Sequence, residues 1–156
     1  MSESLRVGIE IAFNLTYLLV VWWLVALMAA RLPRVAERER ALAYRIILAF
    51  GLLALGDTGH VGFRVIAYAR GGLEANPVLV GLGALSTSYT VTLFYMLAVD
   101  MWRLRFGRRL GIAGWALLAA GLVRLVVMAF PWNEWQQVVA PLGPSLVRNA
   151  LLVYQG

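Results

Sequence analysis

Apolar residues along this chain run in long blocks, and the polar positions fall between the blocks rather than within them. A helix rises about 1.5 Å per residue, so about 20 consecutive apolar residues cross a hydrocarbon core of about 30 Å. Five segments meet or approach that length: 7–30, 41–69, 77–101, 110–130 and 138–156. The breaks between them, 31–40, 71–76, 102–109 and 131–137, are hydrophilic or turn-rich and of ordinary connection length. The pattern predicts an all-α integral membrane protein. It forms a single polytopic bundle of about five transmembrane helices, without internal repeats.

Composition makes the bilayer the required solvent. Hydrophobic residues are 62% of the chain and charged ones 14%, against about half and about a quarter in a soluble domain. A chain of 156 residues is one small domain and has no interior large enough to hide that excess.

Charge then gives an orientation. The net charge of +6 comes from Arg alone, since the chain has no Lys. Arg31, Arg34, Arg38 and Arg40 lie in the first break and Arg103, Arg105, Arg108 and Arg109 in the third, whereas the other side holds Arg6 and Arg70. Cytoplasmic loops carry the excess of Arg, so breaks 31–40 and 102–109 are expected in the cytoplasm and the N-terminus outside, in a plasma membrane of prokaryotic type. Trp22, Trp23, Trp132 and Trp135 suit interfacial belts. The first segment is too long for a signal peptide and lacks a basic leader, so it is read as a span. The fifth would run inward without a basic anchor. Either it ends at the inner interface or the chain is a fragment of a longer membrane protein with helices beyond Gly156.

The missing residue types exclude whole chemistries. Without Cys there is no disulfide, thiolate ligand or Cys nucleophile. Without Lys there is no Schiff base, and one His cannot build a multi-histidine metal centre. Ser86 lies in Gly83-Ala84-Leu85-Ser86, which is not a nucleophile elbow, and no phosphate-binding glycine loop occurs. No cofactor, metal or nucleic-acid partner is expected, and the reading leans away from an enzyme.

What remains is charge at membrane depth, which costs about 2.5 to 3.5 kcal/mol per residue at the centre of a span and therefore needs a partner, a cavity or a purpose. Asp57, His60 and Arg64 stand at i, i+3 and i+7, on one helical face. Counted from Arg45, Asp57 is roughly 18 Å and Arg64 roughly 28 Å up the second helix, and Arg124 is roughly 22 Å up the fourth from Arg109. Glu10 and Asn14 fall near the outer end of the first helix, and Arg148 and Asn149 near the middle of the fifth. These residues are expected to converge as one polar cluster in the outer half. Gly56, Gly59 and Gly62 leave a strip where a neighbouring helix or a ligand can approach the backbone. Hydroxyls at 86–90 are expected to hydrogen-bond between helices, Asn133 and Glu134 to lie solvated at the rim, and Asp100 to pair with Arg103.

Three readings follow. The first is a cavity that binds or transports an anionic small molecule or lipid headgroup on Arg64, Arg124 and Arg148, with Asp57 and His60 as proton sites that would make activity change between about pH 5 and 8. The second is an intramembrane lipid-modifying enzyme with His60 as base oriented by Asp57. The third is a structural or assembly subunit whose charges pair with one another or with another chain. Membrane lipids are partners in all three, and a homo-oligomer or larger membrane complex is compatible with each.

Overall fold

The computed structural model describes residues 3–156, with side chains from residue 5. It is 84% helix without strands, and four of its helices are long and apolar enough to cross a membrane. Helix α1 runs Glu3–Arg31, α2 Glu37–Ala69, α3 Pro77–Phe106, α4 Ile112–Ala129 and α5 Leu142–Gln155.

Local chemistry explains the boundaries. The α1–α2 connection turns at Leu32–Arg34, where Pro33 lacks the N–H that would continue α1. Glu37 and Glu39 then favour the positive N-terminal end of α2. The chain leaves α2 through Gly71 and Gly72, at φ 101° and 105°, a conformation that glycine adopts without penalty. The Asn76 amide donates to the carbonyls of Ala67, Arg70 and Gly72, so one side chain holds the whole turn before Pro77 opens α3. Gly107, left-handed at φ 60°, closes α3 after Arg103 and Arg105 in its last turn.

Two boundaries depart from the hydropathy pattern. Helix α3 continues through Phe106 rather than stopping at 101, because Asp100 accepts from both Arg45 (3.0 Å) and Arg103 (2.7 Å) and so keeps the charged turn helical. The fifth segment does not fill 138–156. Pro141 and Pro144 push the helix start to Leu142, leaving 14 residues, roughly 21 Å of helix against the 30 Å a crossing needs. By length, four helices rather than five reach across.

Packing follows chain order: α1 against α2, α2 against α3, α3 against α4, and α4 against α5. The α2–α3 seam is the tightest. Gly56 and Gly59 lie against Thr90 and Ser86, and a Cβ on Gly56 would stand 3.3 Å from the Cα of Thr87. Gly62 has open space instead, so two of the three glycines expected in the strip serve this contact. The Thr87 hydroxyl donates across the seam to the Gly56 carbonyl at 3.2 Å, and the Tyr89 hydroxyl donates to Leu125 O of α4.

The burial pattern is inverted relative to a soluble domain. Thr92, Arg124, Asn133, Arg148 and Gln155 are buried, while Phe13, Leu19 and Val153 are more than 70% exposed. Helix α5 turns Ser145, Arg148 and Gln155 inward and Leu146, Val147 and Val153 outward. Water would penalise that arrangement, and hydrocarbon favours it. The structure is thus compatible with a membrane location.

Candidate functional site

The charged residues predicted to meet in one cluster occupy separate places. On the α1–α2 side, Arg64 Nη2 donates to Glu10 Oε1 at 3.1 Å, and the Tyr17 hydroxyl donates to Asp57 at 2.7 Å. Asp57 faces an apolar groove with Tyr17, Leu24, Val25, Phe50 and Leu53. His60 is not joined to it: Nδ1 of His60 is buried without a hydrogen-bond partner among the described residues. The face expected to carry Asp57, His60 and Arg64 as one stripe therefore serves three environments. Asn14 lies half-buried on α1, one turn from Glu10, with no side-chain hydrogen bond among the described residues.

Arg124 and Arg148 do come together, between α3, α4 and α5. They are 3% and 6% exposed, and Nε of Arg124 donates to the carbonyl of Arg148 at 3.0 Å. Nη1 of Arg124 reaches α3, donating to Ser88 O at 3.0 Å and to the Thr92 hydroxyl. Arg148 donates through Nη1 to Asn133 Oδ1 and through Nη2 to Ser145 Oγ at 3.1 Å, and its guanidinium lies 4.4 Å from the centre of the Trp135 ring. Among the described residues neither Arg has a carboxylate partner, and neither Nη2 of Arg124 nor Nε of Arg148 makes a hydrogen bond. Burying a cation is expensive unless it is paired, and here only neutral dipoles and one aromatic face surround two cations.

The loop after α4 builds the wall of this site. Asn133, 1% exposed, donates its amide N–H groups to Val127 O (2.7 Å) and Phe130 O (2.9 Å) at the end of α4, carbonyls that also accept from the Phe130 and Asn133 backbone N–H groups. That capping role fixes its Oδ1 toward Arg148. Trp135 is held in the same way, its indole N–H donating to Met128 O at 3.0 Å. Gly81 of α3 lets the loop close, since a Cβ there would strike the Trp135 carbonyl. Glu134 sits at φ 48°, a conformation non-glycine residues rarely adopt, so local strain accompanies the geometry.

A cavity of about 140 Å³ lies beside the two guanidiniums, with Gly81, Ser88, Asn133, Trp135 and Asn149 among its walls. Asn149 is exposed at its edge, and Glu134 also reaches the wall but accepts from Gln137. Neither Asp57 nor His60 lines it. Asn133 and Trp135 are thus site residues that the sequence reading left as rim and belt positions, and Thr92 and Ser145 are ones it did not single out. The signal for Asn133 was its place two residues after Pro131 at a helix end, where an Asn side chain commonly answers open carbonyls. No group of three or more metal-binding side chains occurs among the described residues. Comparison with known protein families, with curated proteins and with solved structures finds no match to this chain.

Proposed function

We propose that the cavity between α3, α4 and α5 holds an anionic group, a carboxylate or phosphate carried by a small molecule or lipid headgroup, on Arg124 and Arg148. One observation carries this reading: two adjacent guanidiniums, 3% and 6% exposed, border a cavity of about 140 Å³ with no acidic partner among the described residues. Arg presents planar donors that match carboxylate and phosphate oxygens, and an anion there would use the N–H groups left open on Arg124 and Arg148. Proton coupling through Asp57 and His60 is not part of the proposal, because neither touches the cavity.

The proposal includes an orientation. With the Arg-rich breaks in the cytoplasm and the N-terminus outside, α5 is a fifth, shorter helix that inserts from the outer surface to mid-depth. Asn133, Trp135 and the cavity then face the outer leaflet. The chain contains no Cys, so single cysteines report topology cleanly. A membrane-impermeant maleimide should label Gln136→Cys and spare Arg38→Cys in intact cells. The opposite result reverses the orientation.

Binding is tested by thermal unfolding of the purified full chain with inorganic phosphate, acetate and a short-chain phosphatidate, against a zwitterionic lipid of equal chain length. A ligand at a hundred times its Kd stabilises by about 2.7 kcal/mol. Phosphate or acetate acting alone indicates a small-molecule anion, and phosphatidate alone indicates a headgroup. The double variant Arg124→Gln/Arg148→Gln should lose the response. If no anion shifts the wild-type protein, the proposal fails.

A further inference from the structure

We infer that the opposite end of the bundle carries a second site, which on the orientation proposed above takes an anionic phospholipid of the cytoplasmic leaflet. A groove of about 580 Å³ runs between α3 and α4, walled by Ala98, Val99, Trp102, Ala113 and Leu117. Arg108 and Arg109 line its mouth, both exposed and without an acidic partner among the described residues. Asp100, on the same stretch of α3, is already engaged by Arg45 and Arg103. From Trp102 at the mouth to Tyr95 at the deep end is roughly 10 Å of helix, enough to seat the upper part of an acyl chain.

The two ends of the groove fix the class of occupant. An apolar trough alone accepts any hydrocarbon. Two free guanidiniums at its mouth, directly before the first turn of α4, select a negative headgroup, and basic pockets between helices on the cytoplasmic side bind such lipids. Exposed Trp102, Phe106 and Trp115 stand near the same level, where aromatic rings favour the headgroup boundary. The phosphate lies on Arg108 and Arg109, and one acyl chain lies between Val99 and Leu117. Neither the cavity at Arg124 nor its proposed anion enters this argument.

The full chain is reconstituted in nanodiscs of equimolar phosphatidylglycerol and phosphatidylcholine, then released for native mass spectrometry. Phosphatidylglycerol should be retained in preference. Each Arg near an anionic headgroup contributes about five-fold, so Arg108→Gln/Arg109→Gln should lower retention about thirty-fold. Arg38→Gln/Arg40→Gln removes equal charge from the other cytoplasmic break and should leave retention unchanged. Filling the trough with Leu117→Trp should also release the lipid; Ala113→Trp, at an exposed position, repeats the test if Leu117→Trp does not fold. Equal retention of both lipids, or a Gln pair that binds like wild type, overturns the proposal. Filled variants that still retain phosphatidylglycerol overturn it too, since charge alone would then suffice. So does a lipid-free dimer that cross-links through Ala113→Cys, which would make a second copy the occupant.

Discussion

Two regions of this bundle hold charge at membrane depth, and they neutralise it differently. Between α1 and α2, opposite signs or hydrogen-bond partners are matched one to one: Glu10 with Arg64, and Asp57 with the Tyr17 hydroxyl. These residues stay partly exposed, with side chains 28% and 38% open at Arg64 and Glu10. Between α3, α4 and α5, two like charges are buried together and receive only carbonyls, hydroxyls, an amide and an indole face. The first arrangement is complete in itself. In the second, Glu134 at the cavity wall accepts from Gln137 and pairs with neither Arg, and stability alone would not select the arrangement, because an apolar side chain of similar volume would fill the same space at lower cost. That contrast is why a ligand is assigned to the α3–α5 side.

The largest expected effect strikes the wall of the uncompensated site. Asn133→Leu removes the acceptor of a buried cation, a loss of about 1 to 3 kcal/mol, and two amide hydrogen bonds to carbonyls that keep their backbone donors, each worth about 1 kcal/mol or less. Together they should lower the unfolding free energy in detergent by about 3 kcal/mol. An effect below about 1 kcal/mol would show that Arg148 relies on Asn133 little. The next prediction has the opposite sign. Arg124→Met leaves no orphaned acceptor, since Ser88 O and Arg148 O lie within helices and the Thr92 hydroxyl still donates to Ser88 O. It should raise stability by about 1 to 4 kcal/mol while abolishing anion binding. A fall in stability would make Arg124 a structural strut and erase the contrast between the two regions.

The order of these residues along their helices was legible in the sequence, and their directions were not. Counting 1.5 Å per residue put Asp57 roughly 18 Å and Arg124 roughly 22 Å along their helices; in the structure Thr87 donates to Gly56 across the α2–α3 seam, and Arg124 donates to the adjacent Ser88 O. Which way each points depends on which helix packs on which face, and that was decided by Gly56 and Gly59 against Thr90 and Ser86. Once that face of α2 is taken by α3, Asp57, about 100° around the helix from Gly56, is left to α1. Apolar blocks gave four long helices because hydropathy and length dominate there. They did not show where the fifth helix starts, because two prolines set its first turn at Leu142 within a continuing apolar composition. Asn133 was read as solvated because a loop residue's burial depends on the tertiary contact that Gly81 permits.

On the matched side the expected effects are small. Arg64→Gln breaks a half-exposed ion pair and should cost about 1 kcal/mol or less, because water and headgroups reach both partners. Restoring a pair in reverse, with Glu10→Arg and Arg64→Glu together, should recover most of that loss. Arg124 and Arg148 offer no such exchange, having no acid to swap with.

The smallest expected effect tests whether Asp57 is truly served by its neighbour. Tyr17→Phe deletes one hydroxyl from a largely exposed ring and leaves the packing of α1 on α2 intact, so the loss is that of one hydrogen bond, about 1 kcal/mol. Asp57→Asn keeps an acceptor for the Tyr17 hydroxyl while removing the charge. If the hydroxyl stabilises Asp57 chiefly as an anion, Tyr17→Phe should matter less in the Asp57→Asn background, and a double-mutant cycle should return a coupling of about 0.5 kcal/mol. Zero coupling would leave Asp57 as uncompensated as Arg124, and the two sides of the molecule would then pose the same question.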